Sequence, residues 1–436
     1  MAAANLVRLG ESPLTLYLID ENHDALGVAY GTTNPEHLLN VRASNMSAFA
    51  DQPEHFVQWL GGSEAAAKKA AFGLEKKYEA GDFVPRMLYG DYLQSIWQET
   101  QQRAAAKNIQ LKLVPTRAVA VQGGSEGTEI AIFTERGDAI AIDNIILALG
   151  HETKAIFPEI RQAAMLQNPW GTGAFDGAAN WSSPVLLIGT GLTAIDVMLS
   201  LRRAGYAGEI VMASRRGMMP QMHAVPTAIC SFTAEEISNA KTLSTMLKML
   251  RTKIAACGDW RAAIDALRPH TQTLWQRLTS REQQRFLTQL LPIWNVHRHR
   301  CAPEIAAAMH EEIMRSKTRL VSGKKIAVRE EAGQLYVALG KEKIAPSRII
   351  NCTGFELNLA RSSNLLLRQL LATGMVEAHA TGQGIAADKY GRAWGNAYPQ
   401  LYAIGSLLTG QLLESTAVPE LRQQAQQVAH TILNGE

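Results

Sequence analysis

Residues 184–217, PVLLIGTGLTAIDVMLSLRRAGYAGEIVMASRRG, constrain the fold more than any other stretch. Val185-Leu186-Leu187-Ile188 is a continuous apolar run, as expected of a strand buried on both faces of a parallel sheet. It ends in Gly189-Thr190-Gly191-Leu192-Thr193-Ala194, a G-x-G-x-x-A turn. Ile195, Met198, Leu199 and Arg202 then recur at helical spacing, and Gly205 closes the helix. Ile210-Val211-Met212-Ala213 supplies the second strand. A strand, turn, helix and strand of this length suit a dinucleotide site. Gly189 allows the tight turn, Gly191 lets backbone approach a pyrophosphate, and Ala194 lets helix and strand pack closely. The pyrophosphate then sits at the positive end of the helix. The competing reading is a glycine-rich turn that binds nothing.

The end of the second strand indicates which dinucleotide. An NAD site places Asp or Glu there to accept the ribose 2′-hydroxyl. This chain has Ser214-Arg215-Arg216. A carboxylate would repel a 2′-phosphate, whereas a hydroxyl and two guanidiniums would bind it, so the residues favour NADPH. Otherwise the Arg pair is a solvated turn.

The 436 residues are enough for two or three domains. A net charge of +3 and the lack of any Lys/Arg block give no argument for nucleic acid. No apolar run reaches the length of a membrane span, and residues 1–5 have no basic n-region or apolar h-region of a signal peptide. Cys230, Cys257, Cys301 and Cys352 are scattered without a C-x-x-C, which supports neither a disulfide framework nor a redox dithiol. That spacing argues against the disulfide-reductase branch of flavoenzymes, and the cytoplasm is the expected compartment.

Residues 1–10 read as the latter part of a helix stopped by Gly10, and Leu14–Ile19 as a strand ending in Asp20-Glu21. A carboxylate there would bind a ribose hydroxyl, as in the second half of another dinucleotide unit. The matching first strand and glycine turn are expected ahead of Met1, as in a chain shortened at its start. Residues 27–49 mix polar and apolar residues without period and read as a functional loop. Tyr92, Leu93 and Trp97 mark the core face of a helix over 89–101. Four short strands over 111–142, with turns at Gly123-Gly124 and Arg136-Gly137-Asp138, predict a β-meander. It leads into the apolar strand Ile145–Leu149 and Gly150-His151.

Residues 233–317 change to charged, Gln-rich amphipathic helices: 234–252, 259–267, 271–278 and 280–290. His297-Arg298-His299-Arg300 follow. An H-x-H pair flanked by Arg and lacking an obvious third ligand is a poor metal site. The stronger readings are a basic wall facing an anion and a salt-bridged helix end. Residues 319–346 are again short strands, leading into Arg348–Cys352 and Thr353-Gly354. The two halves thus share one plan of helix and strand, meander, then strand and glycine, and this internal repeat organises the chain. The last strand, Leu401–Ile404, ends in Gly405-Ser406. Thr416 is placed to cap the final helix, with Pro419 in its first turn. Such a helix end, at Thr416-Ala417, would stabilise negative charge, including that of a reduced flavin.

The motifs Gly27-Val28-Ala29-Tyr30, His37-Leu38-Leu39-Asn40-Val41, His297–Arg300 and Thr416–Arg422, set in two dinucleotide-binding halves, resemble the bacterial FAD/NAD(P)-binding protein family. That family lies within the two-dinucleotide-binding-domain flavoproteins. A more distant resemblance is to N-hydroxylating and Baeyer–Villiger flavin monooxygenases. It implies an α/β fold of two Rossmann-like three-layer domains with a helical insertion. The FAD-binding domain would comprise 1–170 and 377–436, the NADPH-binding domain 171–232 and 318–376, and the insertion 233–317. The resemblance places Asp20 and Glu21 at the FAD ribose, Asn40, Val41 and Met46 near the isoalloxazine, and Val119 near adenine. It places Gly150 by the pyrophosphate and Gly405 and Ser406 near the ribityl phosphate. Thr353 and Gly354 join the cofactor-binding set by the internal repeat. Ser406 stands where the pattern usually has Asp.

The function implied is NADPH-dependent reduction of FAD followed by oxygenation of a small-molecule substrate with O₂, so the cofactor carries the chemistry. Arg42, His297 and Arg298 are the candidate contacts to substrate or cofactor phosphate. The alternatives are electron transfer without oxygenation and a nucleotide-binding protein without turnover.

Overall fold

The computed structural model describes residues 1–21, 26–123, 130–158, 160, 164–323, 325–331, 333–340, 342–395 and 400–435. Gly124, assigned above to a turn, lies outside them. The chain opens with α1 (Ala2–Leu9), β1 (Thr15–Ile19), α2 (Gly27–Tyr30), α3 (His55–Gly61), α4 (Ser63–Ala71) and α5 (Arg86–Ala106). Strands β2 (Gln110–Val114), β3 (Ala118–Gln122), β4 (Ile130–Thr134), β5 (Ala139–Ile142), β6 (Ile145–Leu147), β7 (Glu152–Thr153) and β8 (Met165–Leu166) follow. The expected unit is β9 (Val185–Ile188), α6 (Leu192–Arg203) and β10 (Ile210–Ser214). The insertion holds α7 (Ala234–Asn239), α8 (Leu243–Cys257), α9 (Trp260–Leu267), α10 (Thr271–Arg277), α11 (Ser280–Arg285) and α12 (Leu291–Arg298). After α13 (Pro303–Met314) come β11 (Thr318–Ser322), β12 (Ile326–Glu331), β13 (Gln334–Leu339), β14 (Glu342–Ile344), β15 (Arg348–Asn351) and β16 (Phe355–Glu356). Helix α14 (Leu365–Ala372), β17 (Leu401–Ala403) and α15 (Val418–Asn434) complete the chain.

Strand β9 lies at the centre of a five-stranded parallel sheet ordered β11-β10-β9-β15-β8. Alternate side chains of β9 serve two cores, because successive residues of a strand point to opposite faces. Val185 and Leu187 pack with Ile195, Met198 and Leu201 of α6 and Ile305 and Met309 of α13. Leu186 and Ile188 pack with Leu335, Val337 and Leu339 of the antiparallel β12-β13-β14 meander. Burial on both faces explains why this strand is apolar throughout, each side chain contributing roughly 1.5–3 kcal/mol. The result is three layers: helices, parallel sheet, meander.

The first half repeats the layers with a broken sheet. Strand β1 pairs in parallel with β2, and β6 with β17. Val7 of α1 and Ala104 of α5 pack with Leu14, Leu16 and Leu111 on one side. On the other, the β3-β4-β5 meander packs with Ile145, Leu147, Leu401 and Ala403.

Several expectations are corrected. Leu111–Val114 are not part of the meander: they form β2 and pair with β1, and the meander begins at Ala118. Residues 234–252 are not one helix, because Thr242 starts α8 with a reciprocal capping box after α7 has ended at Asn239. Cys230 and Cys257 form a disulfide with Cα atoms 6.2 Å apart, where scattered spacing suggested none. α8 carries Cys257 back to the loop of Cys230, a return that sequence spacing does not show. Cysteine usage therefore no longer supports a reducing compartment. Packing also groups Leu359, Leu366, Leu367, Leu370 and Val376 with the first half, ahead of the boundary expected at 376/377. Among the described residues, no helix is long and apolar enough to cross a membrane.

Candidate functional site

The β9–α6 junction is built around two glycines with different jobs. Gly189 has φ +130°, and a Cβ there would lie 2.3 Å from the Cys352 carbonyl oxygen at the end of β15. Its N–H bonds to the Ala213 carbonyl at 2.7 Å, so the turn is pinned to both neighbouring strands. Gly191 is the N-cap of α6 with no side-chain cap, and among the described residues nothing beyond its chain neighbours lies within 4 Å of where its Cβ would be. The first amides of α6 are thus left for an outside acceptor. Thr190 is buried, its hydroxyl 3.0 Å from Ser214 Oγ and 2.5 Å from the Met218 carbonyl, which it donates to. Ser214 Oγ also accepts the Gly217 N–H at 3.0 Å. Arg215 and Arg216 are exposed just beyond this ordered strand end, Arg216 donating to the Gln289 carbonyl at 2.9 Å. Ala194 is fully buried against the sheet. On β15, Asn351 Oδ1 accepts the Thr353 N–H at 3.1 Å and its hydroxyl at 2.8 Å. Gly354 has φ +90° with open space beside its Cα.

The first half contributes a cavity of about 2090 Å³. Asp20, Glu21, Val119, Gly150 and Ser406 line it, together with Asn34, His37, Trp170 and Ser200. Glu21 accepts from Arg117 at 2.6 Å at the rim, both side chains solvent-exposed. The Ser406 hydroxyl donates to the Gly150 carbonyl, tying the ends of β17 and β6 together. The Gly405 N–H donates to Gln424 Oε1 at 2.8 Å, and Gln424 Nε2 donates to the Ser415 carbonyl at 2.9 Å. These bonds fix the start of α15 against the strand end. Thr416 is exposed and is not the cap: Ala417 is, without a side-chain bond, and its carbonyl accepts the Glu420 N–H at 3.0 Å and the Leu421 N–H at 2.9 Å.

Asn40, Val41 and Met46 do not line this cavity. Met46 is buried in a cluster with Phe49, Phe56 and Tyr92, and Val41 packs against it. The Asn40 carbonyl accepts from His223 Nε2 at 3.0 Å. Burial, backed by Arg300 and Arg42, lowers the His223 pKa to about 4. Arg42 thus enters the structure through its charge on His223.

The basic cluster resolves into packing and ion pairs. Arg298 donates from Nη2 at 2.8 Å and Nε at 3.1 Å to Glu414 Oε2, and Trp294 Nε1 donates to Glu414 Oε1 at 3.1 Å. Arg300 pairs with Asp265. His297 Nδ1 donates to the Ile293 carbonyl at 2.8 Å and its ring meets Trp260 edge-on. Of the two readings open at the sequence level, Arg298 fits the salt-bridged helix end. Neither it nor His297 lines the cavity.

One buried group joins the halves and was not singled out from sequence. Asp196, inside α6, pairs with Arg86 at 3.0 Å, and Arg86 Nε donates to the Leu38 carbonyl at 3.1 Å. The available signal was a carboxylate placed between Ile195 and Val197 on a helix face that had to be buried.

Residues 1–152 match the family model for FAD-NAD(P)-binding proteins. No curated protein matches the sequence. Solved structures do match. Reduced ornithine hydroxylase from Pseudomonas aeruginosa aligns with TM-score 0.62 at 11% identity, over 99% of this chain and 96% of that one. FAD-bound DfoA, the cadaverine monooxygenase of desferrioxamine biosynthesis from Erwinia amylovora, gives 0.61 at 10% identity, over 100% and 92%. Bacillithiol disulfide reductase from Bacillus cereus gives 0.52 at 12% identity, over 100% and 95%. The chain therefore has the fold of the two-dinucleotide-binding-domain flavoproteins, and that fold is shared by oxygenating and reducing enzymes alike.

Proposed function

We propose that this protein is an NADPH-using, FAD-dependent oxidoreductase of the monooxygenase type, acting on a small molecule with O₂. The observation that carries the reading is the uncapped start of α6 at Gly191, flanked by Ser214, Arg215 and Arg216 with no carboxylate at the end of β10. That donor set fits a pyrophosphate and a 2′-phosphate. Thr190, Ala194, Thr353 and Gly354 shape the same crevice outside the strand ends.

The donor set of the first half fits a second dinucleotide. We assign Asp20 and Glu21, on the cavity wall, to a ribose, and the Gly150–Ser406 tie with the adjoining Gly405 to the phosphate end. Val119 lies on the cavity wall and is assigned to adenine, and the positive helix end at Thr416-Ala417 suits a negatively charged ring edge. Asn40, Val41 and Met46 would act from behind the wall, by packing. FAD bound there supplies hydride acceptance and O₂ chemistry. The protein's own part is to orient the two nucleotides, exclude water and keep His37 and His223 neutral. Arg42, His297 and Arg298 then serve as positioning groups. We assign 1–170 with 377–436 to FAD, 171–232 with 318–376 to NADPH and 233–317 to the insertion, with 359–376 packed on the first. A cytoplasmic setting suits an NADPH-using enzyme.

The disulfide reductase neighbour keeps electron transfer without oxygenation as a second reading. The experiment is anaerobic absorbance of the protein reconstituted with FAD. Bleaching of the bound flavin by NADPH supports an oxidoreductase, and ¹⁸O₂ incorporation across an amine panel then separates oxygenation from electron transfer. A protein that takes up no flavin, or holds flavin that NADPH never bleaches, overturns the reading.

A further inference from the structure

The aromatic core of the first half holds three tyrosines in a row. Tyr30, at the end of α2, meets Tyr89 with ring centroids 4.6 Å apart. Tyr89 meets Tyr92, the next turn of α5, at 5.5 Å. Tyr92 meets Trp59 of α3 at 5.7 Å. Aromatic rings at these separations are in contact. The row has two ends. Leu26, Gly27, Val28, Gly31 and Thr32, around Tyr30 in the chain, line the large cavity. Trp59 is half-buried, and its Nε1 donates to the exposed Glu64 Oε2 at 3.2 Å.

Packing alone does not account for tyrosine at these positions. Phe49 and Phe56 fill the same cluster without a polar atom. Tyr89 and Tyr92 are 0% exposed. The Tyr89 hydroxyl has no hydrogen-bond partner among the described residues, a cost that phenylalanine would not carry. What the hydroxyl adds is an electron-rich ring, far easier to oxidise by one electron than that of phenylalanine. Tyr92 has in addition a proton acceptor. Its oxygen accepts the Ala48 N–H at 3.1 Å, which leaves its own proton for His55 Nδ1, 2.8 Å away. Burial lowers the His55 pKa, so the ring is neutral and able to accept. Burial also raises the Tyr92 pKa to about 12, so the phenol keeps its proton until it is oxidised.

We propose that Tyr30, Tyr89, Tyr92 and Trp59 form an electron path from the cavity to the surface, with His55 as the proton acceptor of Tyr92. An oxidant of the hydroxyl-radical class, formed in the cavity by stray reduction of O₂, takes one electron from Tyr92 through the rings of Tyr30 and Tyr89. The Tyr92 O–H bond breaks, its proton goes to His55 Nδ1, and a phenoxyl radical remains. Tyr89 has no acceptor and passes the hole on without keeping it. Trp59 then gives one electron to Tyr92, and His55 returns the proton. The Trp59 Nε1–H proton passes to Glu64. A soluble reductant of the thiolate or ascorbate class restores the indole with one electron, and Glu64 gives the proton back. The path rests on ring contacts; its use against stray oxidants rests on the O₂ chemistry of the proposed function.

The test attaches a ruthenium polypyridyl photo-oxidant at Val28→Cys, a 43% exposed position on the cavity wall. Cys230 and Cys257 are joined and Cys301 and Cys352 are buried, so the label finds one thiol. A flash in the presence of a soluble electron acceptor makes a one-electron oxidant at that position. Transient absorbance and electron paramagnetic resonance are expected to show a tyrosyl radical followed by a tryptophanyl radical. Trp59→Phe should abolish the tryptophanyl signal and prolong the tyrosyl one, which excludes Trp97, also on the cavity wall, as the donor. Tyr89→Phe should sharply lower the tryptophanyl yield with Tm unchanged or higher, because the unpartnered hydroxyl is gone. His55→Gln should lower the tyrosyl yield, since an amide is no base. A tryptophanyl signal that survives Trp59→Phe, or is undiminished in Tyr89→Phe, overturns the path. So does the absence of any protein radical in the labelled protein, and an unchanged tyrosyl yield in His55→Gln overturns the role of His55. Neither flavin nor NADPH is present, so failure here is distinct from failure of the proposed activity.

Discussion

His37 and Asp196 meet across the two halves: Nε2 of the ring lies 3.0 Å from the Asp196 backbone carbonyl. A carbonyl only accepts, so Nε2 carries the proton, and Nδ1 accepts from the Thr32 hydroxyl at 2.8 Å. The ring is buried, and burial lowers its pKa against the opposing charge of Asp196. His37 is therefore a neutral bolt between the long loop of the first half and α6 of the second.

Stability is expected to fall with acid in a defined window. His37 and His223 both have folded pKa values below their unfolded value of about 6.5, His223 near 4. Below pH 6.5 the unfolded chain takes up protons that the fold refuses, so stability present above that pH is lost on the way to about 4. His223→Gln is expected to flatten the Tm profile between pH 6.5 and 4, measured by scanning calorimetry. An unchanged slope contradicts the assignment.

The two turn glycines are expected to fail differently. Gly189→Ala drives a Cβ to 2.3 Å from the Cys352 carbonyl at a positive φ, and neither backbone can yield. A loss of about 3 kcal/mol or more, or no soluble protein, should follow. Gly191→Ala meets open space at φ −86° and should fold normally. If its amides hold a pyrophosphate, NADPH affinity falls at unchanged Tm. Calorimetry and urea midpoints on both variants separate the roles.

These contrasts show what the residues reveal unaided. The β9–α6–β10 unit was legible because a four-residue apolar run, two glycines and a helical period all lie within one local stretch. The strand Leu111–Val114 was legible as a strand but not as the partner of β1, since the two lie 95 residues apart. The break after α7 was hidden by Ala240 and Lys241, good helix formers, and only the Thr242 cap marks it. Asp20 and Glu21 were legible at a strand end. Met46 was expected at a ligand and lies in an aromatic core, because an apolar side chain in a loop does not announce which it faces.

Arg298 and Glu414 illustrate the same limit, their partnership spanning 116 residues. Both side chains are largely buried, and Trp294 holds the other carboxylate oxygen. Arg298→Met leaves Glu414 charged and unpaired, at an expected cost of about 3–5 kcal/mol. The double variant Arg298→Met with Glu414→Gln should recover much of it, because the amide oxygen still accepts from Trp294. Urea unfolding of wild type, singles and double closes the cycle. Equal losses in the single and double variants contradict a buried pair.

The central claim is that the α6 cradle selects a phosphorylated dinucleotide through Arg215 and Arg216. Its most direct measurement is isothermal titration of NADPH and NADH into the protein and into Arg215→Ala/Arg216→Ala. Charged hydrogen bonds contribute about 1.5–3 kcal/mol each, so NADPH should bind at least about tenfold tighter than NADH, with the preference gone in the variant. Equal affinity for the two nucleotides in the unaltered protein, or a preference that survives loss of both arginines, contradicts it.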